Sequence, residues 1–240
     1  MAVLDFHPVL SPFVAGDLSK PENSRDGYAA VIVEAVGSAG HITELWKYVQ
    51  EHTKDEEKQL VVARRIREGL LKTSPLAGFP KGINCLAALR SAVNETSPSM
   101  GKTLEADKSM RADHSASELE KRGGEFFDRV YGKVADRVLQ NMALSSGGDL
   151  DQFAKLSIYG ELMAEERILN AKETGLMEFI VCYVSSAAPQ AKGHMYESRN
   201  LGNGKDEIKK GIKLSQDLAE ALGVKVDTES QEFIEKVESW

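Results

Sequence analysis

Cysteine is nearly missing from this chain: only Cys85 and Cys182 occur in 240 residues, far apart and without a Cys-x-x-Cys pair. That spacing suggests neither a disulfide framework nor a zinc cluster, and both thiols read as small apolar core residues. Basic patches are missing too, and the net charge of −7 argues against a nucleic-acid partner, whose phosphates would require a basic surface. The opening Met1-Ala-Val-Leu-Asp-Phe-His-Pro8 has no positive region followed by a long apolar core, so neither a secretory signal nor a membrane partner is expected. The final Val237-Glu-Ser-Trp240 is unlike the usual peroxisomal tripeptide. A reducing intracellular compartment is expected, the cytoplasm first, with a mitochondrion or a peroxisome also compatible.

Strand patterns bounded by hairpin turns are almost absent, whereas helical periodicity recurs along the chain. Ile42, Leu45, Trp46 and Val49 fall at i, i+3, i+4 and i+7, the apolar stripe of an amphipathic helix. Thr53-Lys-Asp-Glu56 reads as a capping box opening a long helix. There Val62, Ala63, Ile66 and Leu70 face one way, Arg64, Arg65 and Arg67 face out, and Ser74-Pro75 ends the run. Further helices are predicted at 83–93, at 118–140 with a break at Gly132, at 149–163, at 174–188 and after Gly204. The fold is therefore predicted to be all-α, a tandem pair of helical-bundle units. Residues 1–25 read as an N-terminal arm, 26–93 as a first helical repeat, 94–117 as a polar linker holding at most a short helix near 102–111, 118–224 as a second repeat, and 225–240 as a tail. Both repeats carry an apolar helix stripe after a polar turn ending in Lys-Asp-Glu, at Lys54 and at Lys205, which suggests duplication.

The most informative stretch is 193–208, where His194 stands near one helix end and Gly202-Asn-Gly204 precedes the next helix. Imidazole is the side chain that titrates near neutrality without perturbation, so His194 is a candidate general base or ligand. Gly202-Asn-Gly204 is no phosphate loop, since it follows no strand and lacks the lysine-serine pair. His7, His41, His52 and His114 lack metal-ligand spacings with carboxylates, so neither a metal nor a cofactor is expected.

The segment 122–224 resembles the carboxymuconolactone decarboxylase and alkyl hydroperoxidase D superfamily. The resemblance rests on Arg122-Gly123, Tyr159-Gly160-Glu161, the apolar helix from Leu176, and His194 eight residues before Gly202 with Glu207-Ile208 beyond. The first half, from Arg25 to Arg90, resembles a degenerate copy, its best match being Gly78-Phe79-Pro80 followed by Asn84, with Glu44 or Leu45 where the histidine would fall. The resemblance implies an alkyl hydroperoxidase D-like fold and a homo-oligomer, dimer or trimer, with at most one active pocket per chain. The hydroperoxidase branch uses two cysteines, but the matching positions are Ala187 and Gln190, and Cys182 lies far along the apolar helix; a thiol-dependent peroxidase is therefore disfavoured. The relay carboxylate of the family would fall at Gly175.

The decarboxylase branch implies a cofactor-free lyase or isomerase acting on a small carboxylated or cyclic organic molecule. His194 with Glu161 or Glu197 would move the proton, and Tyr159, Tyr196, Arg199, Gly78 and Pro80 would line the substrate site. Each candidate has a plainer structural reading. His194 could bond a backbone carbonyl, Glu161 could be solvated, the tyrosines could pack at an interface, Arg199 could form a surface ion pair, and Gly78 and Pro80 could simply form a turn. A catalytically silent scaffold that binds a ligand or partner is the alternative function class.

Overall fold

A computed structural model describes residues 4–12, 18–19 and 25–240, and among them the chain is all-α, with twelve helices and no strand. In chain order these are α1 His7–Leu10, α2 Arg25–Ala35, α3 His41–His52, α4 Glu56–Ala77, α5 Phe79–Thr96, α6 Pro98–Glu105, α7 Ala116–Tyr131, α8 Ala135–Ser146, α9 Asp149–Phe153, α10 Ala171–Val184, α11 Ala188–Asn200 and α12 Lys205–Ala221. A π-helix, Ala154–Met163, follows α9, and a 3-10 helix, Glu229–Ser239, closes the chain. Of the arm expected over 1–25, residues 1–3, 13–17 and 20–24 lie outside the described residues. Phe6, Leu10 and Leu18 of that arm are buried in the main core.

The predicted stripe of α3 is real: Ile42, Leu45, Trp46 and Val49 are all buried, and the Trp46 indole donates to Thr96 Oγ1 on α5 at 3.0 Å. The start and end of α4 differ from the expectation. Asp55, not Thr53, is the N-cap, its carboxylate accepting from the backbone N–H of Glu57 and Lys58. Pro75 lies inside the helix rather than ending it. Proline removes the N–H that would bond the Leu71 carbonyl, and the Ser74 hydroxyl donates to that same oxygen at 2.9 Å, so the last turn survives. The helix stops at Gly78, whose φ of 112° is a conformation glycine adopts without steric cost, and Pro80 sits in the first turn of α5.

Arg65 does not face out as predicted. It is buried, pairs with Glu173 of α10 and donates to the Ile168 carbonyl at 3.0 Å. Arg64 and Arg67 both reach Asp107, and Arg111 reaches Glu68, so the polar stretch after α6 is clasped to α4. Asn170 and Glu173 cap the start of α10 reciprocally, which opens that helix three residues before the predicted Thr174.

Every residue of α10 but Lys172 is buried, and the helix is covered by α2, α4, α11 and α12. One apolar cluster accordingly runs from Phe6 to Val237. A smaller one, with Phe126, Phe127, Val130 and Met163, joins α7 to the π-helix. These two elements touch backbone to backbone: a Cβ on Gly123 would lie 1.9 Å from the Lys155 carbonyl oxygen, and one on Gly160 would lie 2.3 Å from that of Leu119. Bulkier residues at either position would push α7 and the π-helix apart.

Candidate functional site

Two helices meet at His194. On α10, Glu178 and Cys182 are one turn apart and therefore share a face; on α11, His194 and Glu197 are three residues apart and share another. The helices can approach closely because Gly175 has no side chain: a Cβ there would lie 2.8 Å from Leu201 Cδ1 and 3.3 Å from Ser198 Cα. Asn203 locks the turn after α11, donating from Nδ2 to the Lys172 carbonyl at 2.7 Å and to Ser198 Oγ at 2.9 Å. Gly202, at φ 102°, makes that turn possible. Asn200 ties the same helix end to α7 through the Val130 carbonyl at 2.7 Å.

The result is a buried centre. His194 Nδ1 bonds the Glu197 carboxylate, a Glu178 carboxylate oxygen lies within 4.8 Å of ligand atoms of both, and the Cys182 thiol stands beside the imidazole. Glu178 and Glu197 are each 1% exposed and His194 is 7% exposed. Glu178 Oε2 and Glu197 Oε1 have no hydrogen-bond donor among the described residues. Beside the carboxylates the Tyr131 and Tyr159 hydroxyls bond each other at 2.9 Å, Tyr159 held by the π-helix and Tyr131 by the end of α7. Helical stretches of this wide-turn kind are frequent at functional sites.

Electrostatics follow from burial. Loss of water raises the Glu178 carboxyl well above the usual range, and the charge of Glu197 raises it further. Burial lifts Glu197 to about 7, and the neighbouring Glu178 carboxyl works against that rise. Both carboxyls are thus raised, Glu178 further than Glu197. Burial alone would lower His194, but the Cys182 hydrogen bond and charge and the Glu178 charge outweigh it, so the imidazole is raised. Both tyrosines are raised, first by burial and then by Glu197, and stay protonated as donors. Under the centre, Lys72 is buried and lowered to about 8 by loss of water, and it donates to the Met163 and Glu165 carbonyls and to Thr174 Oγ1.

The sequence candidates divide into two groups. His194, Glu197 and Tyr159 come together. Glu161 is only half-buried on the π-helix, where its backbone carbonyl accepts from Arg111. Tyr196 and Arg199 both pack on Trp240, the tyrosine ring at 5.6 Å and the guanidinium over the indole at 4.4 Å. Gly78 and Pro80 sit at the α4–α5 junction in the first half. The structure adds Glu178 and Cys182. Spacing from the histidine had set Cys182 aside, yet its place twelve residues upstream, on the helix antiparallel to α11, puts its thiol against the imidazole. The available signal for Glu178 was its isolation as the one carboxylate within the apolar run 176–184.

The first half repeats the pairing. His41 Nδ1 bonds Glu44, again three residues apart at the start of the helix after an apolar one. Glu44, expected where a histidine would fall, is thus the partner of a histidine. Two sizeable cavities lie away from His194: about 460 Å³ between α4, α5 and α6, and about 410 Å³ between the end of α12 and residues 223–228.

Fold and site together define an all-α protein with a buried histidine, carboxylate and thiol centre. The chain is 30% identical over 160 residues to peroxisomal protein 2 of Schizosaccharomyces pombe, covering 67% of this chain and 71% of that one. It is 31% identical over 169 residues to peroxisomal protein 2 of Saccharomyces cerevisiae, covering 63% of this chain and 59% of that one. The chain belongs to the peroxisomal protein 2 family. No family model matches it, and no solved structure matches it. Among the described residues no helix is long and apolar enough to cross a membrane.

Proposed function

We propose that this chain is a carboxymuconolactone decarboxylase-like enzyme, a cofactor-free lyase or isomerase that moves a proton on a small carboxylated or cyclic organic molecule. The observation that carries this reading is the buried His194–Glu197 hydrogen bond with Glu178 behind it and Cys182 beside it. His194 takes the substrate proton, Glu197 holds the ring in one orientation and balances the imidazolium, and Glu178 stands behind Glu197. Tyr131 and Tyr159 supply hydroxyl donors for an oxygen that gains charge. The His41–Glu44 pair supports an origin by duplication. The names of the relatives support a peroxisomal setting. A homo-oligomer, dimer or trimer, remains part of the proposal.

The test is deuterium incorporation from heavy water next to the carboxyl of a panel of carboxylated lactones. General acid–base catalysis contributes about 10²–10⁴-fold, so His194→Ala should lose that much exchange while its melting temperature stays close to the wild type. Exchange at the wild-type rate in that variant rejects the reading.

A second reading rests on one observation, the Cys182 thiol beside His194. A thiolate there could attack a peroxide oxygen, becoming a sulfenate as the peroxide is reduced to an alcohol, with an external thiol needed to restore it. Peroxide consumption that Cys182→Ser abolishes would favour it.

A further inference from the structure

We propose that Glu178, His194 and Glu197 form a binding site for one divalent transition-metal ion, of which zinc is the representative. One ligand atom from each of the three lies within 4.8 Å of the others, a span that an ion with bonds of about 2.0–2.2 Å closes by small side-chain movements. Two residues come from α11 and one from α10, so the donors arrive from two packed helices rather than from a mobile loop. The independent pointer to a ligand is the pair of oxygens, Glu178 Oε2 and Glu197 Oε1, that have no hydrogen-bond donor among the described residues on side chains 1% exposed. A buried carboxylate oxygen in that state calls for a positive partner.

Charge and donor chemistry select the ion. Two carboxylates and a neutral imidazole carry two negative charges, which one divalent cation cancels. An imidazole with two carboxylates, and the Cys182 thiol against the ring, suits zinc, cobalt, iron(II) or manganese(II) better than calcium or magnesium, which prefer all-oxygen shells. Three protein donors leave positions open for water or a substrate oxygen. The His194 side chain is 9% exposed, so the centre touches the surface at its edge. This inference goes beyond the cofactor-free reading: the cation would stand where that reading has protons.

The test is calorimetric titration of chelator-stripped, full-length protein with zinc, and absorption titration with cobalt. One equivalent is expected, with Glu178→Gln and His194→Ala each weakening binding at least tenfold and both variants checked for native helicity. His52→Ala, at the exposed His7–His52–Glu51 cluster, should bind as the wild type does. Absence of binding by the stripped wild type overturns the proposal, as does binding that survives Glu178→Gln and His194→Ala or falls with His52→Ala. Turnover by the stripped protein is a separate readout: its presence supports the proton-transfer reading whatever the metal result.

Discussion

Glu34 offers a quantitative check on how this core handles charge. It lies on α2, is 0% exposed, accepts from the Thr73 hydroxyl and leaves Oε1 without a donor among the described residues. Loss of water dominates over the helpful Thr73 bond and the Lys81 charge and raises its pKa from 4.5 to about 7. Cys85 also faces it and is itself pushed up to about 12 by burial and by Glu34. Because the folded state holds its proton more tightly than the unfolded state, stability falls as pH rises from 4.5 to about 7 and stays low above that. At about 1.4 kcal/mol per pKa unit, the full effect is about 3 kcal/mol. Glu34→Gln keeps the shape and still accepts from Thr73 but cannot ionise. The variant should match the wild type near pH 4.5 and exceed it by about 3 kcal/mol near pH 8.5, or about 2–4 °C of melting temperature per kcal/mol for a chain this long. Urea unfolding and thermal melts at both pH values provide the comparison. An identical gap between variant and wild type at the two pH values would refute the reasoning, because only a titrating group makes the gap depend on pH.

Three other outcomes follow from the same structure. Lys72 carries a folded pKa of about 8 against 10.5 unfolded, so the unfolded state binds more protons between those values and stability should rise with pH there; a Lys72→Met variant should lack that rise in melts across the alkaline range. Gly160→Ala would place a Cβ against the Leu119 carbonyl and should cost about 1–3 kcal/mol by urea unfolding, while Gly193→Ala, which meets nothing within 4 Å, should not. Arg65→Ala strands Glu173 in the interior and should cost about 3–5 kcal/mol, and a loss of only a few tenths would show that the pair does little for α10.

Helix existence was readable because it depends on local spacing. The α3 stripe and the break at Gly132 stand where periodicity put them. Of the misplaced features, Arg65 turns inward because of the distant Glu173, whereas the Ser74 rescue of Pro75 and the Asn170–Glu173 capping box that opens α10 early are local signals the spacing had already offered. The same holds at the site. His194 and Glu197 were readable because three residues on one helix put them side by side. Glu178 and Cys182 were not, because their relation to His194 depends on how α10 lies against α11.

By itself, then, the sequence determined an all-α chain with a histidine followed by a glycine turn, since periodicity and turns act over a few residues, though the structure puts that histidine at the middle of α11 rather than near its end. Tertiary structure alone decided which groups beyond Glu197 join that histidine. Gly175 lets two helices approach, and their contact buries two carboxyls, a thiol and an imidazole together, where loss of water changes what each can do.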